Sequence, residues 1–134
     1  MAHNEIFYLV ITAMLTGLMW LPYIINRIIE EGLIPAVTQS QVEVNAKSLW
    51  GQRAYRAHMN AIENLVVFAP LVLSLCYLNL SSPETIELCK YFLFLRIAHY
   101  ICYMAAVPVL RTLLFAGGVI IQIKLFVTIL SSFN

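Results

Sequence analysis

Long apolar stretches separated by short polar segments dominate the hydrophobic pattern of this chain. Residues 6–26 contain no charged side chain, and about 20 apolar residues are enough to cross the hydrocarbon core of a bilayer. The same pattern predicts membrane helices at about residues 5–27, 53–79, 84–106 and 108–131. Residues 28–52 are predicted to form a polar loop, with a short helical piece near residues 42–49. We therefore expect one all-α membrane domain, residues 1–134, built as a bundle of four transmembrane helices.

Composition supports insertion into a membrane and does not favour nucleic acid as a partner. The chain is 61% hydrophobic and 11% charged, whereas soluble domains are about 45–50% apolar and about 25% charged. A net charge of +1 and the lack of a basic tract give no argument for nucleic-acid binding. The three cysteines lie in apolar segments without metal-ligand spacing, so we interpret them as packing residues and expect no metal.

Basic residues predict the orientation in the membrane. One side of the bundle carries most of them, whereas Lys90 is the only one near the opposite turn. Since cytoplasmic loops are enriched in Lys and Arg, we expect both termini to face away from the cytoplasm. The residues that define the cytoplasmic side are Arg27, Lys47, Arg53, Arg56 and Arg111.

The second helix carries a stripe of polar residues into an apolar segment. Its members are Arg53, Arg56, Asn60 and Glu63, and spacings of three and four place them on one helix face. Each such group needs a partner inside a membrane, because an unpaired polar group there is costly. A functional site is therefore the default hypothesis for this stripe.

Depth in the membrane predicts two layers of interacting side chains. Glu63 and Arg96 each lie ten residues from the cytoplasmic ends of their helices, or about 15 Å deep, and are predicted to form a buried ion pair. Nearer the cytoplasm, Arg56, Tyr103 and Arg111 fall at similar depths, in a pocket suited to a polyanion. The alternative is that Arg53, Arg56 and Arg111 are interfacial anchors and Tyr103 belongs to an aromatic belt. His99 is then a structural histidine of the bundle.

Three motifs resemble those of the MAPEG superfamily, the membrane-associated proteins of eicosanoid and glutathione metabolism. Residues 56–64, RAHMNAIEN, resemble its R-A-H-x-N-x-x-E signature. Residues 96–103, RIAHYICY, resemble its R-x-x-H-x-x-x-Y pattern, and residues 108–111, PVLR, are similar to the start of its fourth helix. The motifs occur in the family's order across residues 53–122.

This resemblance implies a homotrimer that binds glutathione between protomers, in a pocket open to the cytoplasm. It implies that Arg111 stabilises the glutathione thiolate, and that an apolar electrophile enters from the surrounding membrane lipids. Arg27 would reach the pocket from the adjacent protomer. The full set of binding residues that we carry over is Arg27, Arg56, His58, Asn60, Glu63, Arg96, His99, Tyr103 and Thr112.

Two departures from the family pattern shape the expected activity. Phe115 stands where some catalytic members have Tyr, and Met59 stands where one subgroup has a second Arg. Both favour simple thiol conjugation, with peroxidase activity as a further option, over isomerisation. The alternative is a non-catalytic membrane scaffold of the same fold that binds lipid or fatty acid. A third hypothesis, a small transporter subunit whose stripe lines a pathway, does not account for the motifs.

Overall fold

Six helices make up the computed structural model, which describes residues 3–39 and 46–133. Their bounds are α1 His3–Leu18, α2 Leu21–Glu31, α3 Leu33–Thr38, α4 Leu49–Tyr77, α5 Pro83–Met104 and α6 Pro108–Ser131. Helices α1, α4, α5 and α6 pack side by side, with α5 in contact with the other three. No strand occurs within the described ranges. The predicted all-α bundle is confirmed.

Within the described residues, three segments are long and apolar enough to cross a membrane: Asn4–Glu31, Leu49–Tyr77 and Pro108–Ser131. Helix α5, with 22 residues, has spanning length but carries Glu84, Glu87, Lys90 and Arg96. Helix α5 contacts α1, α4 and α6. The chain is therefore an integral membrane protein in which the most charged of the long helices packs against the other three.

The first predicted helix is divided in the structure. Helix α1 ends at Leu18 and α2 begins at Leu21, with Pro22 in the first turn of α2, where its missing N–H is tolerated. Tyr100 on α5 donates a hydrogen bond from its hydroxyl to the Met19 carbonyl at 3.0 Å. A side chain from another helix thus provides a hydrogen-bond partner for a backbone carbonyl at the break. Kinked membrane helices require such partners for the backbone groups that the kink frees.

The prediction of a polar loop over residues 28–52 is wrong in part. Helix α2 continues to Glu31, α3 occupies Leu33–Thr38, and α4 begins at Leu49. Helix α4 starts there because the Ser48 hydroxyl accepts a hydrogen bond from the Gly51 N–H at 3.1 Å, a typical N-cap. Most of the short helical piece predicted near residues 42–49 lies outside the described residues.

Two short turns connect α4 to α5 and α5 to α6, and each contains a residue with positive φ. Asn79 has φ 57° and Ala106 has φ 58°. Beside them, Leu80 N–H donates to Leu75 O and Val107 N–H donates to Cys102 O, both at 3.0 Å, as at helix ends closed by a left-handed residue. We call the end of the bundle with Ala106 and the start of α4 the loop end, and the end with Asn79 and the start of α1 the terminal end.

Aromatic and aliphatic side chains fill the terminal half of the bundle. Phe68 of α4 and Phe92 of α5 stack with ring centroids 3.8 Å apart and planes at 11°. Toward the loop end, the Gly117–Gly118 pair of α6 packs directly on α5. A Cβ atom at Gly118 would lie 2.8 Å from Arg96 Nη2, so glycine permits this close approach. The other buried members of the apolar core are Leu9, Val72, Leu75, Cys89, Ile121 and Leu125.

Candidate functional site

A cationic cavity of about 670 Å³ opens at the loop end of the bundle. It contains the cationic side chains of Lys47, Arg53, Arg56 and Arg111, and none of its described lining residues is acidic. Small-molecule sites commonly measure about 300–1,000 Å³, so the cavity can hold a ligand of peptide size. The remaining lining residues are Ala46, Leu49, Gln52, Tyr55 and Tyr103.

Two of the predicted site residues form one wall of this cavity. The Arg111 guanidinium lies 4.4 Å from the ring centroid of Tyr103, within the range of a cation–π contact. This contact joins α6 to α5 across the short turn at Ala106. Because it leaves the nitrogen atoms without a carboxylate among the cavity residues, the guanidinium can stabilise a negative charge brought by a ligand.

Arg53 contributes to the cavity and also ties two helices together. Its Nε donates a hydrogen bond to the Met104 carbonyl at 3.1 Å, at the last residue of α5. A cation near a helix C-terminus is favourable because of the helix dipole and the free carbonyls. The start of α4 is therefore attached to the end of α5, and Arg56, one turn further along α4, lines the same cavity.

His99 lies buried between the cavity and the bundle interior. Its ring centroid is 5.7 Å from that of Tyr103 and 6.2 Å from that of Phe115. The histidine therefore supports Tyr103 from inside the bundle, and Phe115 occupies the adjacent position on α6. His99 is not one of the residues that line the cavity.

Arg96 forms the deepest part of the polar cluster and is 4% exposed. Its Nη1 lies 3.4 Å from Asn60 Oδ1 and its Nη2 lies 3.4 Å from the Leu114 carbonyl. Its guanidinium also stands 5.5 Å from the Phe92 ring centroid and 5.8 Å from that of Phe115. Its Nε has no hydrogen-bond partner within the described structure. Arg96 therefore contacts α4 through the neutral amide of Asn60.

The predicted Glu63–Arg96 ion pair is absent from the described structure, since Glu63 is exposed while Arg96 is buried. Equal depth along two helices does not determine which way a side chain points. Each residue of the polar stripe precedes a residue of the buried α4 face by one position, a rotation of about 100°. The four buried neighbours of the stripe are Ala54, Ala57, Ala61 and Asn64.

His58, Arg27 and Thr112 are placed away from the cavity. His58 is buried on another side of α4, where its ring stacks on Tyr23 at 5.7 Å. Arg27 binds Glu31 through an ion pair of 3.0 Å and donates to the Gln39 carbonyl at 2.6 Å. Exposed Thr112 donates its hydroxyl hydrogen to the Pro108 carbonyl at 3.0 Å. In this single chain, therefore, the site consists of Arg56, Tyr103 and Arg111 on the cavity, with Asn60, Arg96 and His99 beneath it.

Sequence reasoning missed a hydrogen-bonded cluster that holds one wall of the cavity. We call Asn26, Glu30 and Ser48 the loop clasp. Ser48 Oγ donates to Asn26 Oδ1 at 2.6 Å, and Asn26 Nδ2 donates to Glu30 Oε1 at 3.0 Å. Asn26 and Glu30 are four positions apart on α2, but Ser48 lies 22 positions from Asn26, so no local spacing links it to them. Ser48, a residue type common at helix N-caps, was the signal in the sequence that could have pointed to this cluster.

Comparison with known families supports the motif resemblance. The model of the MAPEG family matches residues 6–131 of the 134-residue chain. This range contains the cavity, the buried polar cluster, α4, α5, α6 and all but the first three residues of α1. No curated protein and no solved structure gives a significant match. Because the family model covers nearly the whole chain, this integral membrane protein belongs to the MAPEG family.

Proposed function

We propose that the chain is an integral-membrane glutathione transferase, which adds the glutathione thiolate to apolar electrophiles dissolved in the bilayer. The cationic cavity carries this proposal, because Arg111 stands beside three further cations with no acidic lining residue. Membership of the MAPEG family supports the choice of glutathione over other anions. The loop end faces the cytoplasm in this proposal, and both termini face away from it.

The cavity fits the charge pattern of glutathione. The tripeptide has two carboxylates and one ammonium group, and its ionised thiol adds a third negative charge. Arg56 and Arg53 can each bind a carboxylate through paired donors. Asn60, beneath the cavity, offers an amide to the peptide. Glu63, on the same stripe of α4 but not among the lining residues of the single chain, would supply the carboxylate that the ammonium group requires.

Arg111 would lower the energy of the reactive anion. A free thiol has a pKa of about 8.5 and is mostly protonated at neutral pH, so a neighbouring guanidinium favours the nucleophilic thiolate. The thiol proton passes to water, and the sulfur electron pair forms a bond to the electrophilic carbon. A leaving group departs with its bonding electrons; in an addition, the carbon framework takes up a proton from water.

The proposed homotrimer explains an exposed carboxylate at membrane depth. Glu63 and Arg56 are exposed in the single chain, although Glu63 lies ten residues beyond Arg53 on a membrane-spanning helix. A charged group facing lipid at such a depth costs at least about 2.5 kcal/mol. A second copy packed on this face would remove the stripe from lipid and complete the wall of the cavity. The Glu31 and Gln39 contacts of Arg27 would have to rearrange for Arg27 to reach the neighbouring site.

An apolar surface next to Arg111 supports lateral entry of the electrophile. Leu110 and Leu113 flank this residue on α6 and are 47% and 64% exposed. Because this segment belongs to a membrane-spanning helix, its exposed leucines face acyl chains. A substrate dissolved in the bilayer could therefore approach the thiolate without crossing water.

Phe115 favours a second candidate, a non-catalytic scaffold of the same fold. Its ring packs on His99 and Arg96 and offers no hydroxyl to a reacting group. The Thr112 hydroxyl is bound to its own helix. A scaffold would bind lipid or fatty acid and would not need Arg111 beside a thiol.

Calorimetric titration of the detergent-solubilised protein with glutathione tests the transferase first. Saturable binding, followed by glutathione-dependent conjugation of 1-chloro-2,4-dinitrobenzene, is the expected result. Binding of oleate without glutathione binding or turnover would favour the scaffold instead. If glutathione binds and no apolar electrophile is conjugated, the catalytic part of the proposal is wrong.

A further inference from the structure

The loop clasp fixes the backbone of a cationic residue that no motif assigns. Glu30 Oε2 accepts a hydrogen bond from the Lys47 N–H at 3.0 Å, and Glu30 Oε1 accepts one from the Ser48 N–H at 2.8 Å. Asn26, only 2% exposed, binds both Glu30 and Ser48. One carboxylate and one buried amide thus hold the two residues that immediately precede α4.

Close packing makes the segment around Lys47 difficult to displace. A Cβ atom at Gly51 would collide with the Asn26 amide, so α4 approaches α2 as closely as glycine allows. Gln52 Nε2 also donates to the Ala46 carbonyl at 2.8 Å. The backbone on both sides of Lys47 is therefore held, while its exposed side chain lines the cavity. Because the backbone of Lys47 is already ordered, less conformational entropy is lost when its side chain binds a ligand.

The charge distribution along the cavity determines which ligand group suits Lys47. The cavity carries Lys47, Arg53, Arg56 and Arg111, so an ammonium group near this wall would be repelled. Glu63, which can take the ammonium, lies ten residues further along α4 than Arg53, about 15 Å away. The γ-glutamyl end of glutathione therefore suits the deeper part of the stripe. The glycyl end carries a carboxylate alone and suits the wall that contains Lys47.

We propose that Lys47 binds the glycyl carboxylate of glutathione and that Glu30 is its positioning residue. This inference rests on the proposed function, because it names one contact of the same ligand. Lys47 is a specificity residue and Glu30 acts through it. The thiol, which lies near Arg111, is not involved in this contact.

Titrations with two peptides test the contact directly. Lys47→Met should weaken glutathione binding about fivefold, the effect of one exposed ion pair. The same substitution should leave binding of glutathione amide, whose glycyl carboxylate is amidated, unchanged. Lys124→Met is the matched control, since Lys124 is 57% exposed and pairs with Glu84 near the terminal end. An equal loss for both peptides, or no loss for either, would overturn the role of Lys47.

A second pair of variants tests the positioning role of Glu30. Glu30→Ala should weaken glutathione binding and add little to Lys47→Met in the double variant, because both act on one contact. Glu30→Gln retains an acceptor for one backbone N–H and should restore part of the affinity. Additive losses in the double variant would contradict positioning. If wild-type protein binds neither peptide, the proposed function itself fails, and this result is distinct from every outcome above.

Discussion

The two ends of the bundle place buried polar groups in different surroundings. At the terminal end, the fully buried Glu5 accepts a hydrogen bond of 2.7 Å from the Thr85 hydroxyl, and Thr85 is itself held by Ser82 in the cap of α5. Toward the loop end, Arg96 has two contacts of 3.4 Å. Arg96 Nε and Glu5 Oε2 both lack a partner in the described structure, so the ends differ in their surroundings. The buried polar groups at the terminal end adjoin the cap of α5, whereas Arg96 lies beneath the cationic cavity.

This difference indicates that the two halves of α4 and α5 have different roles. Both helices run from the aromatic stack of Phe68 and Phe92 to the cationic cavity. The stack contributes packing, which drives helix association in a membrane, and the cavity concentrates positive charge. Substitutions near the stack should therefore change stability, and substitutions at the cavity should change binding and turnover.

The largest expected effect is on stability, at the aromatic stack. Phe92→Ala should lower the free energy of unfolding by about 3–5 kcal/mol, because it leaves a cavity against Phe68. Denaturant titration in detergent micelles measures this change. Phe94→Ala is the matched control, since Phe94 is 56% exposed on the same helix, and its cost should be small. Equal costs for the two variants would show that the stack does not stabilise the bundle.

Arg111 should have the next largest effect, and on turnover. Arg111→Ala should reduce the conjugation rate at least about 100-fold, the usual result of removing a charge-stabilising donor, while size-exclusion chromatography shows an unchanged oligomer. Arg111→Lys keeps the charge without the planar donors and should retain intermediate activity. Wild-type rates in Arg111→Ala would remove this residue from the mechanism.

A double-mutant cycle distinguishes the observed partner of Arg96 from the one predicted from depth. Arg96→Met and Asn60→Ala should couple by about 1 kcal/mol in the free energy of unfolding, the size of one hydrogen bond. Arg96→Met and Glu63→Gln should show no coupling, because Glu63 is exposed. Coupling with Glu63 in place of Asn60 would support the buried ion pair that depth in the membrane predicted.

The smallest predicted effect lies in the turn at the loop end. Ala106 has φ 58°, a conformation that strains an L-residue and suits glycine. Ala106→Gly should therefore stabilise the protein by up to about 1 kcal/mol, with no change in glutathione affinity, in parallel unfolding and calorimetric measurements. A loss of stability would show that the turn is not strained.

The sequence by itself determined the parts of the structure that depend on local pattern. Apolar length predicted the membrane helices, and the three- and four-residue spacing predicted that Arg53, Arg56, Asn60 and Glu63 share one face of α4. The motifs at residues 56–64 and 96–103 identified the family. Each of these signals lies within one helix, so neighbouring residues are sufficient to define it.

Only the tertiary structure decided which way those faces point and what they meet. Depth placed Glu63 level with Arg96, yet the packing of Ala57 and Ala61 turns Glu63 outward, because a shift of one residue rotates a side chain by about 100°. The loop clasp joins Asn26 to Ser48, which no periodicity connects. The direction in which a helix face points and the long-range contacts that it makes depend on how several helices pack together. The sequence of a single segment therefore does not determine them.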